Sequence, residues 1–213
     1  MLVPWSTAAW LTQNRLTFPV NPCGFCYHRF ASSFEWRFMS TSAVLVLLVG
    51  PPGTGKSYLA RRIAERFPMA IVETDEIRRQ IAHPPTYSPR ESGRVYLTAQ
   101  RRIERLLREG RAVLFDATNL YERGRKKLYR IAEKYHARLL IVRTTAPEPV
   151  IEERLRLRKL GVEPLDLSEA GWEVYSRMKG ELQDIRRPHM VIDTSRELQP
   201  ALESILRFLR NEQ

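Results

Sequence analysis

The sequence predicts an α/β fold, a doubly wound parallel sheet of about five strands with helices on both faces. Three observations carry that expectation. From residue 39 onward, short apolar runs alternate with stretches whose apolar residues recur at helical spacing, with no internal repeat and no low-complexity linker. The runs are unbroken rather than alternately polar and apolar, as strands buried on both faces of a parallel sheet read. The first run ends in a glycine-rich stretch that opens into a helical pattern, so strand, loop and helix follow in that order. At 213 residues the chain suits one domain with a substantial core.

The first strand is placed at 43–49 (AVLVLLV), and the helix after it runs from Ser57 to Phe67. Further strands are placed at 70–74 (AIVET), 112–116 (AVLFD), 138–143 (RLLIVR) and 190–193 (MVID). Between the second and third, Val95, Ala99, Ile103, Leu106 and Leu107 mark one helical face; Leu128, Ile131, Ala132 and Tyr135 mark another before the fourth. Leu198, Ala201, Leu202, Ile205 and Leu209 give the last helix its apolar side. In such a sheet ligands bind beyond the C-terminal ends of the strands, so those ends hold the candidate site.

At the first strand end stands GPPGTGKSY. Gly50, Gly55, Lys56 and Ser57 satisfy G-x-x-x-x-G-K-[ST], the P-loop or Walker A pattern, in the strand-loop-helix context it requires. The whole stretch, Gly50, Pro51, Pro52, Gly53, Thr54, Gly55, Lys56, Ser57 and Tyr58, is therefore the candidate nucleotide-binding loop. Its glycines let backbone amides close around phosphate oxygens, and the helix N-terminus adds a favourable dipole. Lys56 is expected to reach the β- and γ-phosphates, and the Ser57 hydroxyl to hold Mg²⁺.

Asp75 and Arg78 follow the second strand, three residues apart and hence on one face of the next helix. A carboxylate there can take a hydroxyl proton while the arginine grips an anionic group of the same substrate; equally, Asp75 can cap the helix and Arg78 face solvent. Asp116 ends the third strand as a Walker B acid and a candidate Mg²⁺ ligand. The next residue is Ala117, where motor ATPases of the AAA type usually place a water-activating glutamate. Thr118 and Asn119 are positioned to bond phosphates or to cap the helix expected from about 121. Beyond the fourth strand, Arg154 and Arg158 are four apart, on one face of a helix that reads as a small lid over the triphosphate, ahead of Arg156; the plainer reading is a solvated face paired with Glu152 and Glu153. The segment HPPTYSPRESGRVY, with Tyr87 and Tyr96, is expected to line the acceptor site.

Net charge is +11, with 35 Lys plus Arg against 24 Asp plus Glu, a balance that favours polyanionic partners. No run of about 18 apolar residues occurs, so no membrane partner is expected, and no obligate protein partner is evident. The two cysteines, Cys23 and Cys26, lack the further ligands of a zinc site and the strand-to-helix setting of a redox pair. A main domain without cysteine fits a reducing cytoplasm. Residues 1–38 hold three Trp and several Arg but a single acid, Glu35; they read as a poorly ordered extension, translated from an upstream start, ahead of a catalytic domain at 39–213.

Together GPPGTGKS, TDEIRRQ, DATN and ERLRLR resemble the small P-loop kinases labelled AAA-type ATP-binding protein or predicted kinase, related to polynucleotide 5′-hydroxyl kinases and more distantly to zeta toxins and chloramphenicol phosphotransferase. The resemblance covers residues 43–211 and implies a P-loop NTPase fold with ATP and Mg²⁺. It implies Asp75 as general base, Arg78 as the contact to a substrate phosphate, Arg154 or Arg158 as lid arginine, and Asp193, Thr194 and Ser195 near adenine. The phosphatase domain fused to the phage and animal polynucleotide kinases is not in this sequence. The expected function is transfer of the γ-phosphate of ATP to a hydroxyl, foremost a nucleic acid 5′ end. The alternatives are a small-metabolite or antibiotic kinase and a nucleotide-gated binding protein or slow ATPase.

Overall fold

A computed structural model describes residues 43–82, 84–160 and 171–211. The expected extension at 1–38, with its cysteine pair, lies outside the described residues. Five strands, β1 (Val44–Val49), β2 (Ala70–Glu73), β3 (Ala112–Asp116), β4 (Arg138–Thr145) and β5 (Met190–Asp193), form one sheet in the order β2-β3-β1-β4-β5. Every neighbouring pair is parallel. Five strands were expected and five are found, with β4 running two residues further than its apolar pattern because Thr144 and Thr145 still pair with β5.

The central strand is the most apolar, and all six residues of β1 are buried. Its two faces feed two cores. On one, Val44, Val46 and Leu48 meet Leu59 and Ile63 of α1 (Lys56–Ala64) and Leu202, Ile205 and Leu209 of α7 (Gln199–Arg210). On the other, Leu45, Leu47 and Val49 meet α2 (Thr74–Ile81), α3 (Pro89–Arg108) and α4 (Glu122–Lys134) through Ile77, Val95, Ala99, Ile103, Leu128 and Ala132. Helices on both faces make the sheet doubly wound, as the alternating pattern requires. Each fully buried Leu or Val contributes about 1.5–3 kcal/mol, so truncating Leu47 to Ala should cost about 2–5 kcal/mol once its cavity is included.

α5 (Glu148–Lys159) and α6 (Trp172–Glu181) stand apart from both cores and share a small cluster of Ile151, Leu155 and Tyr175. They are the expected helical lid. The chain leaves β1 towards β2 on one side and later crosses from β3 to β4 on the other, which puts a crevice at the C-terminal end of β1. Pairing of Glu73 with Asp116 and of Val49 with Arg143 brings the C-terminal ends of four strands, β2, β3, β1 and β4, to that crevice.

Candidate active site

The loop after β1 is shaped by what packs behind it. Gly53 and Gly55 adopt φ of 77° and 80°, and Gly55 caps α1 in the left-handed region. A Cβ on Gly53 would lie 2.8 Å from Ile151 of α5, and one on Gly55 would lie 2.8 Å from the Thr194 hydroxyl, so neither position has room for a side chain. Thr54 Oγ1 donates to the Pro51 carbonyl at 2.8 Å and lies 2.8 Å from Thr144 Oγ1, fixing the loop to the end of β4. Gly50 N–H donates to the Thr118 carbonyl at 3.0 Å, fixing it to the loop after β3. Lys56 is buried and its Nζ donates to the Pro51 carbonyl at 2.8 Å, which arches the amine back over the loop. Backbone amides at a helix N-terminus beside a buried ammonium form an anion cradle.

This cradle opens into one cavity of about 1290 Å³. Gly53, Gly55, Lys56, Ser57, Tyr58 and Pro52 line one end, and Asp75, Arg78, Tyr87, Ser92 and Tyr96 the other, with Asp116, Thr118 and Asn119 between. Asp116 is buried at the tip of β3. Among the described residues no group of three or more His, Cys, Asp or Glu side chains gathers as a metal site. Ser57 and Asp116 offer oxygen donors in one cavity beside a phosphate cradle, which fits Mg²⁺, an ion usually held by one or two protein oxygens plus phosphate.

At the Asp75 end, Arg78 is buried, pairs through Nη1 with the Glu91 carboxylate and lies 4.5 Å from the centre of the Tyr87 ring. Its Nε is buried, with no hydrogen-bond partner among the described residues. Glu91 in turn accepts from the Thr86 hydroxyl at 2.6 Å, Thr86 N–H at 2.7 Å and Tyr87 N–H at 3.3 Å. The Thr86 hydrogen bonds, with the Arg78 guanidinium, hold the Glu91 carboxyl down to about 2. Glu91 sits at the third position of α3, whose start is set by Ser88 capping the Glu91 N–H and by Pro89. Tyr96 stacks edge-on against Phe115, and burial pushes its phenol up, with the Asp75 carboxylate adding to the effect.

Asp193 and Thr194 stand behind the cavity wall, whereas Arg154 and Asn119 line it with side-chain N–H groups already donated to the protein. Thr194 is buried behind the P-loop, donating from Oγ1 to the Thr54 carbonyl at 3.0 Å, and Asp193 accepts from the Ser195 hydroxyl at 2.6 Å, which lowers its pKa. Arg154 donates to Thr194 Oγ1 and Thr194 O, both at 2.8 Å, and to Gly53 O at 3.3 Å. It thus staples α5 to the loop, and both it and Arg158, one turn on, line the cavity. Asn119, at φ 49°, donates to the Leu48 carbonyl at 2.7 Å and ties β1 to the loop after β3.

The pattern missed three groups. Glu91 orients Arg78; Arg61, Arg62 and Arg177 add cations to the cavity; and Arg125, fully buried, donates to the carbonyls of Asn119, Leu120, Gln183 and Asp184 at 2.6–2.8 Å. The S-P-R-E run at residues 88–91 marks Glu91 as a helix-start glutamate but not as the partner of Arg78; nothing in the sequence near Arg125 signals that carbonyls of the loop just before it and of the segment after α6 gather on its guanidinium. From α6, Glu181 accepts a hydrogen bond from the Tyr121 hydroxyl and so closes the lid against the loop after β3.

The AAA domain family matches residues 45–183, a span that takes in the cradle, the Asp75 end of the cavity and the lid. The chain belongs to that family. Among curated relatives of this AAA-domain chain, an uncharacterized protein of Mycobacterium tuberculosis (strain ATCC 25618 / H37Rv) is 31% identical over 129 residues, covering 55% of this chain and 26% of that protein. The chain therefore spans about a quarter of the length of the curated relatives it matches. The Mycobacterium tuberculosis APS kinase CysC, solved with AMPPNP and APS, superposes with a TM-score of 0.59 at 14% identity, over 79% of this chain and 98% of that one. A gluconokinase from Sinorhizobium meliloti 1021 gives 0.57 at 19% identity, over 80% and 95%. A sugar kinase from Janibacter sp. HTCC2649 gives 0.56 at 15% identity, over 79% and 94%. These likenesses establish the fold, an α/β arrangement that the three named proteins share. Among the described residues no helix is long and apolar enough to cross a membrane.

Proposed function

We propose that this AAA-domain chain is a phosphotransferase that moves the γ-phosphate of ATP to the hydroxyl of a small acceptor carrying an anionic group. The observation that carries the reading is the single cavity with the cradle at one end and Asp75 and Arg78 at the other. At about 1290 Å³ it exceeds the roughly 300–1000 Å³ of a site for one drug-sized ligand, so it suits two substrates meeting head to head. The kinases whose folds it shares act on small molecules, by their names APS, gluconate and sugar, and this favours a small acceptor over the nucleic acid end foremost in the sequence.

In this reading the loop amides and Lys56 hold the phosphates, and Arg78, oriented by Glu91, holds the acceptor's anionic group by a forked contact. Asp75 orients the acceptor hydroxyl and takes its proton as the bond from that oxygen to the γ-phosphorus forms and the bond to the β,γ-bridging oxygen breaks. Arg158 and Arg177 balance charge on the group in transit, and α5 and α6 exclude water. Mg²⁺, held by Ser57 and Asp116, would supply charge neutralisation across the phosphates. Ala117, where a water-activating acid would sit, is buried and apolar, which disfavours a slow ATPase.

The test is transfer of label from γ-labelled ATP to a panel of phosphorylated, sulfated and carboxylated alcohols, and to a 5′-hydroxyl oligonucleotide, with Asp75→Asn alongside. Labelling of a small anionic alcohol that falls by about 10²–10⁴ in the variant, with ATP still bound, is expected. Label released only as inorganic phosphate, at equal rates in both proteins, would overturn the reading. Label on the oligonucleotide alone would replace the acceptor class.

A further inference from the structure

The outer face of α3 and α4 carries charge that folding does not require. Along α3, Arg90, Arg94, Leu97, Arg101, Arg105 and Arg108 are all exposed, at steps of three and four residues that align them in one stripe opposite the buried Val95, Ala99 and Ile103. At 1.5 Å per residue the stripe is about 27 Å long. Among the described residues none gives these five guanidinium groups a hydrogen bond or ion pair; the salt bridges between α3 and α2 use Arg102 and Glu91 instead. α4 packs on the same face of the sheet, is linked to α3 by Lys134 and Glu104 at 3.2 Å, and adds the exposed Arg123, Lys126, Lys127 and Arg130. The exposed acids of the two helices and the α3 C-cap are Glu109, 3.9 Å from Arg111, and Glu133, paired with Arg187.

On α1 and α5 some arginines are answered by an acid one turn away. Arg62 meets Glu65 at 2.9 Å, and Arg156 meets Glu153 at 2.8 Å. Like charges at helical neighbours cost a few tenths of a kcal/mol per pair, so an unanswered stripe opposes helix formation. We infer that this face binds the phosphodiester backbone of duplex nucleic acid, without reading sequence. Arginine forks match phosphate oxygens, and a linear track of cations suits a linear polyanion. The exposed residues of the two helices include no aromatic ring on which a single strand would stack. Leu97 is the single large apolar side chain exposed on the stripe, too little for membrane insertion or for an apolar protein hot spot. The inference is independent of the phosphotransfer reading.

The test is fluorescence anisotropy of the full chain with a labelled 20-base-pair duplex between 50 and 200 mM salt. Binding should weaken linearly in log-log form with salt. The triple variant Arg94→Gln, Arg101→Gln, Arg105→Gln should flatten the slope by about 3, roughly 0.9 per lost phosphate contact, and weaken binding at least tenfold at 100 mM salt. Gln keeps helix propensity close to that of Arg, and circular dichroism melting checks the fold. A charge-matched triple away from the stripe, Arg207→Gln and Arg210→Gln on α7 across the sheet with Arg196→Gln in the turn after β5, should retain binding. Equal loss in both triples, unchanged binding in the first, or displacement of the duplex by polyglutamate at equal charge would overturn the inference.

Discussion

Glu91 decides how Arg78 can be used. An arginine buried beside Tyr87 would be costly alone, and Glu91 neutralises it while leaving its Nε with no acceptor among the described residues. Because the folded carboxyl is held at about 2, below its ordinary value of 4.5, its contribution is complete above about pH 4.5 and lost as pH falls towards 2. Glu91→Gln should therefore lower the urea midpoint at pH 7, and the gap from the parent protein should narrow between pH 4.5 and pH 2.5. A gap constant with pH would show that the carboxylate charge is not what Arg78 needs. In the acceptor assay, Arg78→Lys keeps the charge but loses the fork, and the acceptor KM should rise about tenfold or more while the KM for ATP stays within about twofold. Asp75 and Arg78 were legible because a strand end fixes where they stand. Glu91 was not, since its partner lies 13 residues away across a turn that only the fold closes.

Two arginines staple the elements that border the cavity. Arg125 satisfies all five of its N–H groups on Glu122 and on carbonyls of the β3–α4 loop and of the segment leaving α6. Removing it strands those acceptors, so Arg125→Met should cost about 3–5 kcal/mol in urea unfolding, with Arg125→Lys recovering a part. A loss below 1 kcal/mol would mean that the Gln183 N–H to Leu120 carbonyl bond, at 3.0 Å, suffices to hold the two loops together. Arg154 does the corresponding work between α5 and the P-loop. Arg154→Met should weaken ATP binding about tenfold with little change in unfolding, whereas Arg158→Met should lower kcat and leave ATP binding alone. The element order and the parallel sheet were legible because β1, β3 and the apolar faces of α3, α4 and α7 repeat at clear periods. The staples were not legible, because arginine on a predicted helix reads as solvent-facing until the loops it binds are known. The same residue type therefore carries three meanings here: Arg125 is structural, Arg158 lines the cavity, and Arg101 faces water.

At the scale of the molecule, the cradle joins pieces that the sheet order alone would leave loosely coupled. Gly50 is bonded to the β3 loop, Thr54 approaches β4, Gly55 rests on Thr194 after β5, and Gly53 touches α5. A ligand that orders this loop is thus linked to every strand end on the site side of the sheet except that of β2, and its binding energy should appear as global stability rather than as local stiffening. At a hundred times its dissociation constant, a nucleotide adds about 2.7 kcal/mol to the folded state. For a domain of roughly 150–250 residues that is about 2–4 °C per kcal/mol, hence an upward shift in Tm of about 5–11 °C with ATP and Mg²⁺. Lys56→Ala should remove most of the shift. The change also removes one of the two donors to the Pro51 carbonyl, Thr54 Oγ1 being the other, so the apo Tm of the variant must be measured beside its shift. A full ATP-induced shift in Lys56→Ala would mean that nucleotide is held away from the cradle. A biphasic melt in which only one phase moves would mean that the lid and the sheet unfold separately, and that the contacts between α5 and the loop do not carry binding energy into the core.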